Sequence, residues 1–420
     1  MRAPDQEVKV GLLRTVSWVL GLGLLLALCY HGWQAWGLGE GYPLSTFLFQ
    51  PDARFTDYFD VVWASRNFAP YHEIASYFPA TYVLVYPLSL VSYGWGMAVL
   101  FTLCLALIYS WLKEEFFQST QNKTVSTAAA ACLTLLSYPI IYAVDRGNFE
   151  LVLLACALGF IRNFLKGNHR WAIACLFPAI CMKLYPAALL AVYLRPLRWR
   201  LLVSTGLLAF ALSIIGLMCF RDGLAFNWRV MRLCQNRYEE FYIVRDCGVA
   251  GSPSLWNGLK VLDNKRTFAE ADREGKRLSV PAFLERIRGR LELYKIAMLA
   301  VCAWTAVMVM FVEKDPRRQC VLLLLFMMFS APAAGDYKLL YLLPCIACLL
   351  GAAEYRSRDK LVVMMLAFSA IPMKYLYIPA IRSSTDLEDA GMNIFIIPLL
   401  LLGSFVFLCT DAWAARRARD

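Results

Sequence analysis

The chain has 420 residues, of which 60% are hydrophobic and only 17% charged, and its mean hydropathy is +0.52. That composition excludes an ordinary soluble globule and fits an integral membrane protein. The formal net charge of +11 is scattered over many loops and forms no single basic stripe. It therefore reads as topology and attraction to anionic headgroups, and not as nucleic-acid binding.

In chain order, Arg2, Lys9 and Arg14 precede an apolar run at 16–36. This start looks like a secretory signal, but no small-residue cleavage site follows and further apolar runs do, so a retained first transmembrane helix is expected. Runs approaching the roughly 20 residues that cross a bilayer recur at 94–112, 124–144, 149–165, 201–220, 296–312, 321–334, 339–353, 361–378 and 393–409. The stretch 171–194 differs, being interrupted by Pro178, Lys183 and Pro186. It reads as a short broken pair, which a membrane tolerates only beside protein or water. The expected fold is an all-α polytopic membrane protein, one integral membrane domain over 1–420, with about 12 membrane segments counting that pair as two.

Positive charge in short loops marks the cytoplasmic side. Lys113 and Lys123, Arg162 with Lys166 and Arg170, Arg195 with Arg198 and Arg200, Lys314 with Arg317 and Arg318, Arg356 with Arg358 and Lys360, and the Arg416 to Arg419 tail can share one side. Both termini are then cytoplasmic, provided that 171–194 enters and returns on the same side. Two long loops, about 37–79 and about 221–294, face outward in this scheme. Within the second, Leu278, Phe283, Ile287 and Leu291 recur at helical spacing among charges. That pattern fits an amphipathic helix at the membrane interface or a solvated helix packed on the spans.

Most of the 14 cysteines fall within apolar runs, where a thiol behaves as a small hydrophobe. Cys234 and Cys247 lie in the second outer loop and are a possible disulfide pair. The three histidines, His31, His72 and His169, show no metal-ligand spacing, and no metal or other cofactor is expected. Neither a Walker phosphate loop nor a dinucleotide fingerprint is present.

Charges flanking hydrocarbon nominate the site. Asp57 and Asp60 follow the first span, at the start of a short helix. A carboxylate there caps or compensates the helix dipole, or takes a proton from an attacking hydroxyl. Asp60, three residues on, is a helper or an alternative. Arg146 and Asn148 flank Gly147 between two runs. They either pair locally with Asp145 or Glu150 and cap the next helix, or grip phosphate and sugar hydroxyls. Lys183, beside Tyr185 and Pro186, needs an anionic partner inside an apolar hairpin. Asp336 and Lys338 in the turn 330–338 either pair with each other or face a substrate. Ser252 and Asn257 belong to a polar, aromatic turn in the second outer loop.

These pieces resemble the polyprenyl-phosphate-sugar-dependent enzymes of the GT-C superfamily, specifically glycosyltransferase family 87. The resemblance rests on Asp57-Tyr58 leading to Ala64-Ser65, on Pro70-Tyr71, and on Tyr77-Phe78-Pro79-Ala80. It continues with Arg146-Gly147-Asn148, a shortened form of the family's Arg-Gly-Gln-x-Asn element, with Lys183-Leu184-Tyr185-Pro186, and with 330–338, where Asp336-Tyr337 replaces a histidine common there.

The resemblance implies inverting transfer of a hexose, mannose-like, from a polyprenyl-phosphate donor to a lipid or glycan acceptor on the outer face of a bacterial inner membrane. Asp57 would be the general base. Arg146, Asn148, Lys183, Tyr185, Asp336 and Lys338 would handle donor phosphate and sugar. Nucleotide sugars, being cytoplasmic, are disfavoured. The alternatives are a secondary transporter or flippase of an anionic lipid or glycan, and a polymerase or ligase of lipid-linked glycans. Paired broken helices in two repeated halves would mark the transporter, and only one such pair is visible.

Overall fold

The computed structural model describes residues 3–42, 44–68, 77–195, 198–245, 252–273, 280–333, 335–373 and 391–418. Within them the chain is helical, without a β-strand. Pro70, Tyr71, His72, Cys247 and Leu278 lie outside the described residues, so the Pro70-Tyr71 turn and the Cys234–Cys247 pairing do too.

Among the described residues, five helices are long and apolar enough to cross a bilayer: Asp5–Gly37, Tyr93–Thr120, Trp199–Cys219, Leu284–Val312 and Asn393–Arg417. The pair Lys123–Leu135 and Tyr138–Arg146, bent by 43°, is a sixth candidate when its two helices are taken together as one span. The bend falls where Ser137 leaves the helical region at ψ 129° and Pro139 starts the next helix, as a proline in the first helical turn allows. The other apolar runs form shorter helices: Glu150–Leu165, His169–Met182, Pro316–Phe329, Leu342–Gly351 and Asp359–Ser369.

Burial follows hydropathy pattern. Leu342–Gly351 and, beyond its polar first turn, Pro316–Phe329 are apolar all round, and nearly every residue of both is enclosed, so they are the centre of the bundle. Trp199–Cys219 instead exposes Leu207, Leu208, Phe210, Ile215 and Met218. Such a surface fits contact with hydrocarbon.

The 171–194 stretch doubles back. The His169–Met182 helix runs inward for 14 residues, and a 3-10 helix, Tyr185–Tyr193, returns until the Tyr193 ring stands 5.5 Å from the ring of His169. Because a 3-10 helix rises about 2.0 Å per residue and an α-helix about 1.5 Å, 9 residues retrace nearly what 14 had covered.

The apolar stripe carrying Ile287 and Leu291 is not a separate interfacial helix. It opens a continuous helix, Val280–Val307. Both residues are buried in one cluster with Trp256, Ile243, Val244 and Tyr294, so the stripe is covered by protein of the same loop.

At one end, the bundle is laced by ion pairs. Arg318 and Asp359 pair at 1% and 0% exposure, and Arg318 also donates to the Glu354 carbonyl at 2.9 Å. Arg356 grips Glu313 with two bonds of 2.7 and 3.1 Å, and Arg317 meets Glu115. Arg162 pairs with Glu114 at 2.8 Å, and Arg416 donates to the Phe311 carbonyl at 3.1 Å. From this end the Pro316–Phe329 helix extends about 21 Å before the turn that carries Asp336 and Lys338.

Candidate active site

The site begins where two helix ends meet. Thr56–Asn67 starts with Asp57 in its first turn, where the positive end of the helix dipole favours a carboxylate. Tyr138–Arg146 ends there, with Gly147 at φ +67°. Asp145 braces the junction: its carbonyl accepts the Phe55 N–H at 2.9 Å, while its carboxylate accepts the Phe49 N–H at 3.1 Å and faces Arg54 at 3.5 Å.

Gly147 is required twice over. Its backbone lies in the left-handed region, and a Cβ would stand 2.9 Å from the Phe55 Cα and 3.0 Å from the Tyr58 Cβ. A left-handed side chain costs about 1–2 kcal/mol, and backbone yields little. Gly147→Ala is therefore expected to lower thermal stability and activity together, as a fluorescence melt with a parallel assay would register.

The junction holds Asp57 from two sides. Arg146 donates from both Nε, at 3.3 Å, and Nη2, and Asn148 donates from Nδ2. The Arg146 guanidinium also lies 3.6 Å from the Phe49 ring centroid, a cation–π contact that fixes its plane. Asn148 serves the next helix as well, its Oδ1 accepting the Glu150 N–H at 2.9 Å. Arg146 thus pairs with Asp57, and not with the sequence neighbours Asp145 or Glu150. Asp60 is exposed on the same helix, and the bonds from Arg146 and Asn148 go to Asp57.

A second ionic centre adjoins the first through Glu150, which has no exposed surface. Its carboxylate receives Lys183 Nζ at 2.7 Å and the Tyr185 hydroxyl. The proline-broken turn after Met182 delivers Lys183 here: Lys183 is extended, at φ −146°, so the helix stops and the ammonium reaches across. Tyr77 and Tyr337 bracket that ammonium, their ring centroids 4.6 and 5.5 Å away. Tyr185 in turn lies 3.3 Å from the Tyr341 hydroxyl.

Lys338 completes the cluster, its Nζ 4.7 Å from the Tyr185 ring centroid and 3.4 Å from the Ala333 carbonyl that it donates to. Burial pushes the Lys338 ammonium down to about 8; Glu150 opposes that shift and Lys183 adds to it. Asp336 is buried and accepts the Tyr138 hydroxyl at 2.6 Å. This bond ties the 3-10 turn Asp336–Tyr341 to the helix that ends in Arg146, and so sets Tyr337 and Lys338. Asp336 and Lys338 do not form the ion pair that their spacing allows.

Ser252 and Asn257 are buried in a turn held by hydrogen bonds. Asn257 donates to the Ser252 carbonyl at 2.9 Å, and Ser254 donates to the Pro332 carbonyl at 2.7 Å. The loop is thereby fastened to the Ser330–Lys338 turn. Four groups in this cluster escape a reading of charges in sequence. Phe49, Tyr77, Tyr337 and Tyr341 are ordinary aromatics until the fold faces them toward a cation or a carboxylate. Glu150 was visible as a charge at a span end, but its partner lies 33 residues away.

Asp57, Arg146, Asn148, Glu150, Lys183, Tyr185 and Lys338 form one continuous chain of contacts, drawn from four separated stretches of sequence. It joins two carboxylates, three cations and an aromatic wall, the equipment to take a proton at one end and hold an anion at the other. No curated protein and no solved structure matches the chain. A family model does, over residues 76–334, a range that holds Arg146, Asn148, Glu150, Lys183 and Tyr185 and stops short of Asp57 and Lys338. As that match spans more than half of the chain, the protein belongs to glycosyltransferase family 87 and is a glycosyltransferase.

Proposed function

We propose that the protein moves a hexose, mannose-like, with inversion from a polyprenyl-phosphate donor to a lipid or glycan acceptor, at the outer face of a bacterial inner membrane. Asp57 takes the proton of the acceptor hydroxyl while that oxygen attacks the anomeric carbon. The bond from carbon to the lipid phosphate oxygen breaks, and the electron pair leaves with the phosphate. Lys183, Lys338 and Arg146 neutralise the departing charge, so that no acid need protonate it. Tyr77 and Tyr337 offer ring faces to the sugar. Asn148 orients Asp57, and Glu150 with Tyr185 positions Lys183.

The observation that carries this reading is the single contact chain linking Asp57 to Lys183 and Lys338. Every cation in it except Lys338 is paired with a carboxylate of the chain, so a donor phosphate would share Arg146 and Lys183 with Asp57 and Glu150 and bring Lys338 its first anionic partner. The outward orientation is supported by the ion-paired end of the bundle. It gathers Arg162, Arg317, Arg318, Arg356 and Arg416, the positive charge that marks the cytoplasmic side, at the far end of the helices from Asp57.

The test is purified protein supplied with radiolabelled polyprenyl-phosphate hexose and a lipid extract. Label moving into a new lipid or glycan product supports the reading. Label that crosses a vesicle membrane unchanged would replace it with transport.

A pH dependence follows from Lys338. Its charge is present below about 8 and is lost as pH rises through that value. Donor KM is expected to rise across that interval in the wild type and to stay flat in Lys338→Arg, because a guanidinium remains charged. Michaelis profiles taken from pH 7 to 9 for both proteins check this.

A further inference from the structure

The chain turns sharply after the Trp199–Cys219 span, with Asp222 and Gly223 both at positive φ, 72° and 76°. The helix Gly223–Tyr238 then begins. Asn227 locks the turn by donating to the carbonyls of Arg221 and Gly223, each at 2.7 Å. Between span and helix runs an open groove of about 750 Å³, within the size range of small-molecule sites. Phe210, Ile214, Trp228 and Leu233 form its apolar walls, and Arg229 and Arg232 line the same groove.

These two arginines stand apart from the others described above. They are exposed, three residues apart and so on one face of the helix, and among the described residues neither forms an ion pair. The helix carries a third arginine, Arg237, and no acidic residue. Nearby Glu240 is already taken by Arg245 and Arg288. The groove therefore joins apolar walls with a positive pair that lacks its anion.

We infer that this groove binds an anionic membrane phospholipid, its phosphate against Arg229 and Arg232 and its chain along Phe210, Ile214 and Trp228. An aromatic and arginine-bearing helix beside a lipid-exposed span belongs at the interface where phosphates lie. The donor's own chain is the poorer occupant. A polyprenyl phosphate has one charged end, which the Lys183 cluster takes, and leaves nothing for a second pair of cations. The bound lipid would set the position of the helix whose last residue, Tyr238, lies within electrostatic reach of Lys183 and Glu150. The site goes beyond the proposed transfer reaction, and only the choice of phospholipid over the donor chain rests on that reading.

The test is lipid retention, read by native mass spectrometry of protein drawn from vesicles of phosphatidylcholine with phosphatidylglycerol. Wild type should keep phosphatidylglycerol in preference to phosphatidylcholine. Arg229→Gln with Arg232→Gln should lose that preference by on the order of tenfold, the scale expected of two basic groups near an anionic surface. Arg237→Gln, off the groove, should keep it. Ile214→Trp, which fills the groove without altering charge, should lose it too. Equal retention of both lipids by wild type, or equal loss in Arg237→Gln, would overturn the site. So would displacement of the phospholipid by polyprenyl phosphate, which would give the groove to the donor chain. None of these readouts uses sugar transfer, so their failure is separable from failure of the proposed reaction.

Discussion

Asp57→Asn is expected to leave a folded protein whose transfer rate is lower by roughly a hundredfold or more, the range attached to loss of a general base. The substitution is nearly isosteric. An asparagine carbonyl still accepts from Arg146 or from Arg146 and Asn148 together, depending on which oxygen position it takes, while its amide nitrogen faces the remaining donor, and the helix start at Thr56 needs no side-chain cap from it. What is lost is the capacity to hold a proton from the acceptor. The measurement is kcat at saturating donor, with an unchanged melting profile as the control for folding. Turnover within a few-fold of wild type would remove Asp57 from the chemistry and leave it as the anion that holds Arg146. Asp60→Asn, on the exposed side of the helix, is the useful companion, because a helper should cost far less than the base itself.

The largest effect on stability is expected at the opposite end. Arg318→Ala would leave Asp359 at 0% exposure with a buried charge and without its guanidinium partner, a loss on the order of 3–5 kcal/mol. The Arg356 N–H, 2.6 Å from the Asp359 carboxylate, offsets only part of that. Replacing both members of the pair, Arg318→Met with Asp359→Leu, should recover much of the loss, because the apolar pair strands no charge. Thermal melts of the two single variants and the double variant in one detergent decide the matter. A double variant no more stable than either single would mean that the ions contribute specific geometry beyond mutual neutralisation.

The fold was legible wherever hydropathy was continuous. Among the described residues, each apolar run read from sequence holds a helix or the bent pair, since long apolar runs have few other stable forms in lipid, although the run 361–378 is helical only as far as Ser369 and is described only to Met373. Pro178, Lys183 and Pro186 gave away the hairpin for the same reason. The partners of charges were less legible. Arg146 has acidic neighbours on both sides in sequence, yet the left-handed turn at Gly147 swings it toward Asp57, 89 residues earlier. Arg317, Arg318 and Arg356 read as loop charges that mark a side, and in the fold each is also an internal tie, to Glu115, Asp359 and Glu313 respectively. Ser252 and Asn257 read as a polar turn beside an aromatic residue, and in the fold the Asn257 amide donates to the Ser252 carbonyl. A short motif states which groups are available, and tertiary contacts decide which of them are spent internally.

The return of Tyr193 to His169 also governs parity. A segment that goes in and comes back adds an even number to the tally of crossings, so it leaves the sidedness of everything downstream as it was upstream. Reporter enzymes fused after Gly167 and after Arg198 should accordingly signal from the same compartment. With that parity, Asp57, from the first third of the chain, and Lys338, from the last, can serve one substrate without either having to pass through the lipid.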